Sequence, residues 1–326
     1  MSTSETSETR APVRPYPVYS LRFWRAYGIT ARPYLFFVSG AAGLVGIAAA
    51  GPVGPRRFCL AFVPSFLAYG LGQALTDVSQ TDTDSISSPY RPLTRGLITA
   101  RQVLAVSLLG LGLCAAAYYA ANPSTLLPCA LAVAGLATYT FFKRRWWGGP
   151  FWNSWIVATV PLIGFLGAGG RWGEALRRAP LGSVCASIFF SYAVFVLLGY
   201  FKDISADRAT GYRTLPVVAG WLPSVAVSAV FGALGLGFGL AGGHRTEAFW
   251  AFWLAAAGTQ ALAHGRMALI REEALSHGPI GHCVRSFILL ALAETAGLRP
   301  ELWPFCCVFY LGFEAVLRLR PERTQI

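Results

Sequence analysis

The sequence predicts an all-α, polytopic bundle of transmembrane helices, with nine spans and a tenth span or half-helix. Three observations carry this. Of 326 residues, 55% are hydrophobic and only 13% charged, about half the charged fraction of a soluble domain (~25%). Apolar runs recur along nearly the whole chain, and a helix needs roughly 20 apolar residues to cross ~30 Å of hydrocarbon. The 27 Lys and Arg are divided unequally between alternate loops, as membrane topology requires.

Taken in order, the spans are expected at 34–54, 59–75, 103–120, 125–142, 151–169, 184–198, 215–240, 249–270, 286–298 and 302–317. The last two are the weakest. Segment 286–298 is short and holds Glu294, and 302–317 holds Pro304 and Glu314, so one of them is open to being re-entrant or interfacial. With ten crossings and a cytoplasmic N-terminus, only Arg56, Arg57, Arg171, Arg177, Arg178, Arg245 and Arg299 fall outside. The other twenty cations lie inside, the positive-inside asymmetry. With nine crossings Arg318, Arg320 and Arg323 change sides, so charge favours ten, or nine plus a half-helix. The net charge of +12 is thus a topology signal and gives no reason to expect a nucleic-acid partner; the partner it fits is the lipid bilayer.

Residues 1–20 are polar, rich in Ser, Thr, Pro and Arg, and lack the apolar core of a signal peptide. They are expected to form a disordered cytoplasmic arm ahead of a single transmembrane domain, 21–326. The seven Cys are scattered in or beside apolar segments without CxxC spacing, which describes packing residues and neither a disulfide framework nor a zinc site.

All five Asp of the chain fall in two short segments: Asp77, Asp82 and Asp84 after the second expected span, and Asp203 and Asp207 after the sixth. Acids cost roughly 2.5–3.5 kcal/mol at mid-membrane, so they persist at helix ends or where something binds them. On a regular helix Asp77 and Asp84 lie within about 20° of each other, with Gln80 near the same face; Asp82 joins them only if the backbone unwinds. Asp203 and Asp207 are one turn apart on one face, where their repulsion calls for a cation. Mg²⁺ suits such a pair, because it takes one or two carboxylates together with a substrate's own phosphate oxygens. Two facing helix ends of this kind would hold a diphosphate. Arg91, Lys143, Arg144, Arg145, Lys202, Arg208 and Arg213 lie in the loops that carry or adjoin the acids, and Arg clamps phosphate bidentately. Taken singly, the loop cations other than Arg91 read as topology signals. A lone Asp would also read as a solvated loop charge; four acids at these spacings outweigh that reading. His244, His264, His277 and His282 show no metal-ligand spacing.

These residues resemble the UbiA superfamily of intramembrane prenyltransferases, with motifs similar to its chlorophyll-synthase and homogentisate-prenyltransferase branches. The stretch from Asp84 to Gly96, DSISSPYRPLTRG, is similar to the family's D-x-(I/D)-(N/x)-x-P-x-R-P-(I/L)-x-x-G run. Phe201 to Gly220, FKDISADRATGYRTLPVVAG, resembles its second motif, and Tyr139 to Arg144 resembles its aromatic-to-basic junction. Against the first motif, N-D-x-x-D-x-x-x-D, Thr76 replaces Asn and Gln80 the middle Asp; Tyr200 stands upstream of the second motif where several branches are acidic. These departures describe a divergent member and point to specialised metabolism.

The resemblance implies a UbiA-type bundle in the cell membrane, with the N-terminus and site loops cytoplasmic. It implies Mg²⁺ held by Asp77, Gln80, Asp84, Asp203 and Asp207, and an isoprenoid diphosphate held by Arg91, Lys143, Arg144, Lys202 and Arg208. The four Asp would be catalytic, helping the C–O bond to ionise, with Tyr139, Asn153 and Tyr200 facing the cation or a small aromatic acceptor. Tyr90, Trp146, Trp147, Phe151, Trp155 and Tyr192 also lie near the expected cytoplasmic ends, where rings can shield a cation, though most such rings face lipid. Two other readings stay open: a cyclase, in which the prenyl chain captures its own cation, and an ion-coupled transporter, whose acids would sit nearer the midplane.

Overall fold

The computed structural model describes residues 14–177, 179–242 and 245–320. Residues 1–13 of the expected arm, with Arg178, His244 and Arg323, lie outside the described residues. In chain order the helices are α1 (Leu21–Ala31), α2 (Phe36–Ala50), α3 (Pro55–Ser79), α4 (Thr81–Ser87), α5 (Ala100–Ala121), α6 (Leu126–Lys143), α7 (Gly148–Gly167), α8 (Trp172–Ala175), α9 (Ala179–Gly199), α10 (Ile204–Ala209), α11 (Leu215–Ala219), α12 (Trp221–Ala241), α13 (Glu247–Leu269), α14 (His277–Leu298) and α15 (Trp303–Arg318). No strand occurs among the described residues.

Among the described residues nine segments are long and apolar enough to cross a membrane, those built on α2, α3, α5, α6, α7, α9, α12, α14 and α15. The two segments that looked weakest in sequence are therefore both of spanning length. α14 reaches 22 residues by extending back to His277, where Arg285 is neutralised by Glu314 of α15 (Nε to Oε1 2.6 Å). The tenth long helix is instead α13, 23 residues but more polar, with Glu247, Gln260, His264 and Arg266 on it. The expected span 215–240 is broken: Gly220, at φ 84° and ψ −178°, separates α11 from α12, a conformation open only to glycine.

α1 has no counterpart in the apolar runs because it is amphipathic. Phe23, Ala26, Tyr27 and Ala31 pack against Ala74, Ile98 and Val103, and Tyr27 bonds Ser107 (2.7 Å). The chain ahead of α1 is tied down too, since the Tyr16 N–H donates to the Leu97 carbonyl (2.9 Å) and Gln102 Nε2 donates to the Tyr16 carbonyl (2.8 Å).

α14 is the central helix, buried at almost every residue from Pro279 to Gly297 and packed on α2, α9 and α13. α2 and α7 cross beside it with almost no side chain between them. A Cβ on Gly46 would overlap the Pro161 carbonyl oxygen, and one on Gly164 would overlap the Gly43 carbonyl oxygen, so backbone meets backbone as in small-residue membrane crossings. This contact fixes α7, and hence the wall of the cavity below. Gly46→Val is expected to destabilise the bundle by about 1–3 kcal/mol through overpacking, read as a lower thermal midpoint in detergent. Gly237→Ala, where a Cβ meets nothing within 4 Å, leaves the midpoint within error.

Candidate active site

The first acidic motif does not lie on one regular helix. α3 stops at Ser79, Gln80 leaves helical geometry (φ −120°, ψ 20°), and α4 starts at Thr81. Asp77 and Asp84 still converge, because Arg91 from the following loop joins them: its Nη1 contacts Asp84 Oδ2 and lies 3.9 Å from Asp77 Oδ1. Asp82 turns outward to Arg144 (3.7 Å), both about half exposed.

Arg32 was legible only as a topology charge, yet it is the closest cation to Asp77. Its Nη2 donates to both carboxylate oxygens at 3.0 and 2.9 Å, and Gln73 Nε2 adds a third bond to Oδ1 (2.8 Å). Arg32 has φ 51°, the sole positive-φ non-glycine among the described residues. Such a conformation costs on the order of 1–3 kcal/mol and persists only where surroundings impose it. Here the N–H of Arg32 caps α1 through the carbonyls of Gly28 and Ile29 while Pro33 opens the turn into α2, so the side chain swings back under the bundle. Its position before a proline at the mouth of the first span was the signal available in sequence.

The second motif hangs below α9, where the single turn from Tyr200 to Lys202 leads into α10. Lys202 and Asp203 are part-exposed, and the space they face is the cavity. Asp207 is wholly buried off the cavity wall. Its Oδ2 accepts from Thr214 Oγ1 (3.1 Å), and its Oδ1 has no hydrogen bond and lies 3.9 Å from Lys143 Nζ. Lys143 bridges the two motifs, because Nζ also donates to Gln80 Oε1 (2.9 Å). Arg144 stacks on the Tyr212 ring at 4.8 Å and faces away from the cavity, as does exposed Arg208. Two of the five cations expected to hold the diphosphate are thus elsewhere, where their loops meet solvent.

Burial raises the pKa of Asp84, with Arg91 opposing. Burial likewise pushes the Asp207 carboxyl up to about 6 against the pull of Lys143. For Asp203 burial acts in the same sense, but Lys202, Lys143 and Arg91 together outweigh it and hold the carboxyl below its ordinary range. Burial would lower the pKa of Arg91, yet Asp77, Asp84 and Asp203 raise it. The site therefore favours an ionised carboxylate at Asp203 and a firmly charged guanidinium at Arg91.

One cavity of about 270 Å³ gathers Asp77, Gln80, Asp84, Arg91, Tyr139, Lys143, Asn153, Tyr200, Lys202 and Asp203, and adds Arg32 and Gln73. All four of its cations, Arg32, Arg91, Lys143 and Lys202, stand at the acidic end. Next come hydroxyl pairs, Tyr139 with Tyr200 (3.2 Å) and Tyr69 with Tyr192 (2.6 Å), with Asn153 Nδ2 at 3.5 Å from the Tyr192 hydroxyl. A Cβ on Gly149 would overlap the Tyr200 hydroxyl, so a glycine in the first turn of α7 lets that ring reach Tyr139. Beyond these the lining is mainly aliphatic, with Cys114, Cys129 and Tyr118.

Among the described residues no three His, Cys, Asp or Glu side chains come together as a metal cluster. The expected metal set of Asp77, Gln80, Asp84, Asp203 and Asp207 is thus not assembled, since Arg32 and Arg91 neutralise the first motif and Asp207 is turned to Thr214. The donors still fit Mg²⁺ chemically: all are carboxylate or amide oxygens, and Mg²⁺ typically takes few protein ligands beside phosphate. The buried, unbonded Asp207 Oδ1 retains free acceptor capacity on the side of Lys143.

The sequence profile described as the UbiA prenyltransferase family matches residues 35–276. Similar curated proteins include the digeranylgeranylglyceryl phosphate synthase of Halobacterium salinarum, 35% identical over 206 residues, 62% of this chain and 71% of that one. The synthase of Natronomonas pharaonis is 30% identical over 204 residues, 61% of this chain and 71% of that one. Among solved structures, a UbiA homolog from Aeropyrum pernix K1 superimposes with TM-score 0.63 at 19% identity, covering 83% of this chain and 98% of that one. A UbiA homolog from Archaeoglobus fulgidus bound to DMAPP and Mg²⁺ gives 0.56 at 14% identity, covering 83% and 99%. At these identities the structural likenesses show the fold.

With side chains only 9% and 5% exposed, the Arg32–Asp77 pair is costly to break from one side. Arg32→Met is expected to destabilise the fold by about 3–5 kcal/mol, whereas Arg32→Met with Asp77→Leu recovers most of the loss. Thermal or denaturant unfolding of the detergent-solubilised variants measures both.

Proposed function

The chain belongs to the UbiA prenyltransferase family and is a membrane-bound prenyltransferase, and on that premise we propose that it transfers a prenyl group from an isoprenoid diphosphate to a small acceptor in a Mg²⁺-dependent reaction. The observation that carries this reading is the polarity of this cavity: three carboxylates and four cations at one end, tyrosine hydroxyls next, and a far stretch lined mainly by aliphatic side chains. The two acidic ends sit where the helices finish and not at mid-bundle, which speaks against a transport site. The bias of twenty Lys and Arg to one side supports a multi-pass protein in the cell membrane, with 21–326 as one domain and its N-terminus and acidic end cytoplasmic.

The diphosphate oxygens accept from Arg32, Arg91, Lys143 and Lys202 at the acidic end. Asp77, Asp84 and Asp203, with Gln80 or Asp207, would be the residues to hold Mg²⁺, and the ion would supply neutralisation of the leaving group's charge. Preorganised cations stabilise charge that develops as the allylic C–O bond breaks and its electron pair leaves with the diphosphate. The Tyr139 and Tyr200 rings border the C1 carbon and shield its positive charge. The acceptor's nucleophilic atom bonds to C1, and its proton leaves toward the oxygen-rich end. Neither Arg144 nor Arg208 takes part.

The name of the relatives describes a glyceryl phosphate product, and by that likeness a glyceryl phosphate is the first acceptor to test. A small aromatic acceptor in specialised metabolism is the second reading. It is favoured by the collar of Tyr69, Tyr192 and Asn153, which offers hydroxyl and amide groups without a cation for a second phosphate.

In proteoliposomes supplied with Mg²⁺, a prenyl diphosphate and one acceptor class at a time, product mass identifies the acceptor. Prenylated product and diphosphate release are expected only with acceptor present; hydrocarbon formed without acceptor would mark a cyclase instead. Asp77→Ala and Asp203→Ala are each expected to cut diphosphate release by about 100- to 1000-fold, and chelation abolishes it until Mg²⁺ is restored. Release that survives both substitutions would sink the enzyme reading of this site.

A further inference from the structure

The apolar part of the cavity is a groove along four helices. Its lining residues recur at helical spacing on α6 (Cys129, Ala132, Val133, Leu136, Tyr139, Lys143), α5 (Leu111, Cys114, Ala115, Tyr118) and α7 (Asn153, Ile156, Val157, Val160, Ile163), with α3 on the fourth side. One face of each helix is thus turned to the same channel. From Lys143 at the acidic end to Cys129 at the far end the groove runs about 21 Å at ~1.5 Å per residue.

The far end is barred. Tyr118 reaches from α5 across to α3, where its hydroxyl bonds Ser65 Oγ (2.6 Å), and Ser65 is itself anchored to the Ala61 carbonyl (2.8 Å). Tyr118 is 5% exposed and Ser65 not at all. The ring is backed by α7, because a Cβ on Gly167 would lie 3.6 Å from it, and Asn122 Nδ2 ties the end of α5 to the Leu166 carbonyl (2.8 Å). Small side chains, Cys114 and Cys129, stand just before the bar and leave the channel open up to it.

We propose that the Tyr118–Ser65 bar is the length stop for the prenyl donor, and that it admits a tail of about four isoprene units. An extended carbon chain advances ~3.5 Å per three bonds, so a unit of four chain bonds covers roughly 4.5 Å and four units roughly 18 Å. That leaves about 3 Å of the groove for the first contacts of the diphosphate with Lys143. The proposal rests on the prenyl-diphosphate reading of the acidic end. It assigns Tyr118 as a specificity residue through its ring, with Cys114 and Cys129 setting the width of the last stretch.

The test is binding of non-ionising thiolodiphosphate analogues with two to six isoprene units to the purified full chain with Mg²⁺, which needs neither acceptor nor turnover. Affinity is expected to rise through four units and to fall by on the order of tenfold or more at five, the discrimination met by surplus methylene groups in a closed apolar pocket. Tyr118→Ala is expected to bring the five-unit analogue to within about threefold of the four-unit one. Tyr118→Phe, which keeps the ring, retains the wild-type profile, and Cys129→Phe moves the optimum to three units or fewer. Thermal midpoints of the variants establish that they are folded.

A folded Tyr118→Ala variant with an unchanged length profile would overturn the proposal. So would six units binding the wild type as well as four, the result of a tail leaving sideways between α5 and α6, where the lining residue Val133 is 50% exposed. If no analogue of any length binds, the reading of the acidic end fails, and the length stop fails with it. Length-independent binding that still requires the acidic end would remove the length stop alone.

Discussion

The rest of the site depends on a requirement of charge: the carboxylates of the acidic end, sunk into an apolar bundle, are met by cations. Asp77 has Arg32, Asp84 has Arg91, and Lys143 stands between Gln80 and Asp207. An isolated buried charge costs several kcal/mol, and a partner offsets this only with good geometry and further hydrogen bonds. This explains why the Arg32 backbone tolerates a left-handed conformation, why Gln73 adds a bond to Asp77, and why Thr214 bonds Asp207. It also explains the break at Gln80. Past that break Asp84 meets the same Arg91 guanidinium that lies 3.9 Å from Asp77.

The same pairs make the acidic end exchangeable. On the proposed reading each cation would donate to phosphate and each carboxylate would ligate a cation, so a diphosphate arriving with its metal would take the cations while the metal takes the carboxylates. No charge is left bare in passing from one set of pairs to the other, and the low dielectric that makes an unpaired charge costly strengthens whichever set is formed. Lys143 links the two motifs directly, and the Thr83 and Thr210 hydroxyls, 3.3 Å apart, link α4 to α10. The two acidic ends therefore behave as one unit held from the α6 side.

What could be read from the sequence follows from which physical signals are local. Spanning helices announce themselves through apolar length, and the confinement of every Asp to two segments marks the site. Arg91 and Lys202, which line the cavity, lie close in sequence to those acids, and Lys143 lies in a loop expected on the same side of the membrane. Arg32 looks in sequence like any cation flanking a span; only the turn at Pro33 aims it at Asp77, 45 residues away. Asp207 reads from i, i+4 spacing as the equal of Asp203, but a hydrogen bond from Thr214, set by how the chain returns from α10 to α11, turns it off the wall. Arg144 and Arg208 show the converse: loop cations expected on the same side as the acids whose side chains find solvent, an aromatic face or Asp82. α1 was invisible to hydropathy because half of its surface is polar.

The Arg32–Asp77 pair also bears on how the chain enters the membrane. Its two members flank the first helical hairpin, α2 with α3, the earliest part of the bundle to emerge during synthesis. Asp77 can therefore be neutralised as soon as that hairpin inserts, before α6 brings Lys143 or α9 brings Lys202. The carboxylate proposed to meet the substrate can thus be delivered into the bilayer already accompanied.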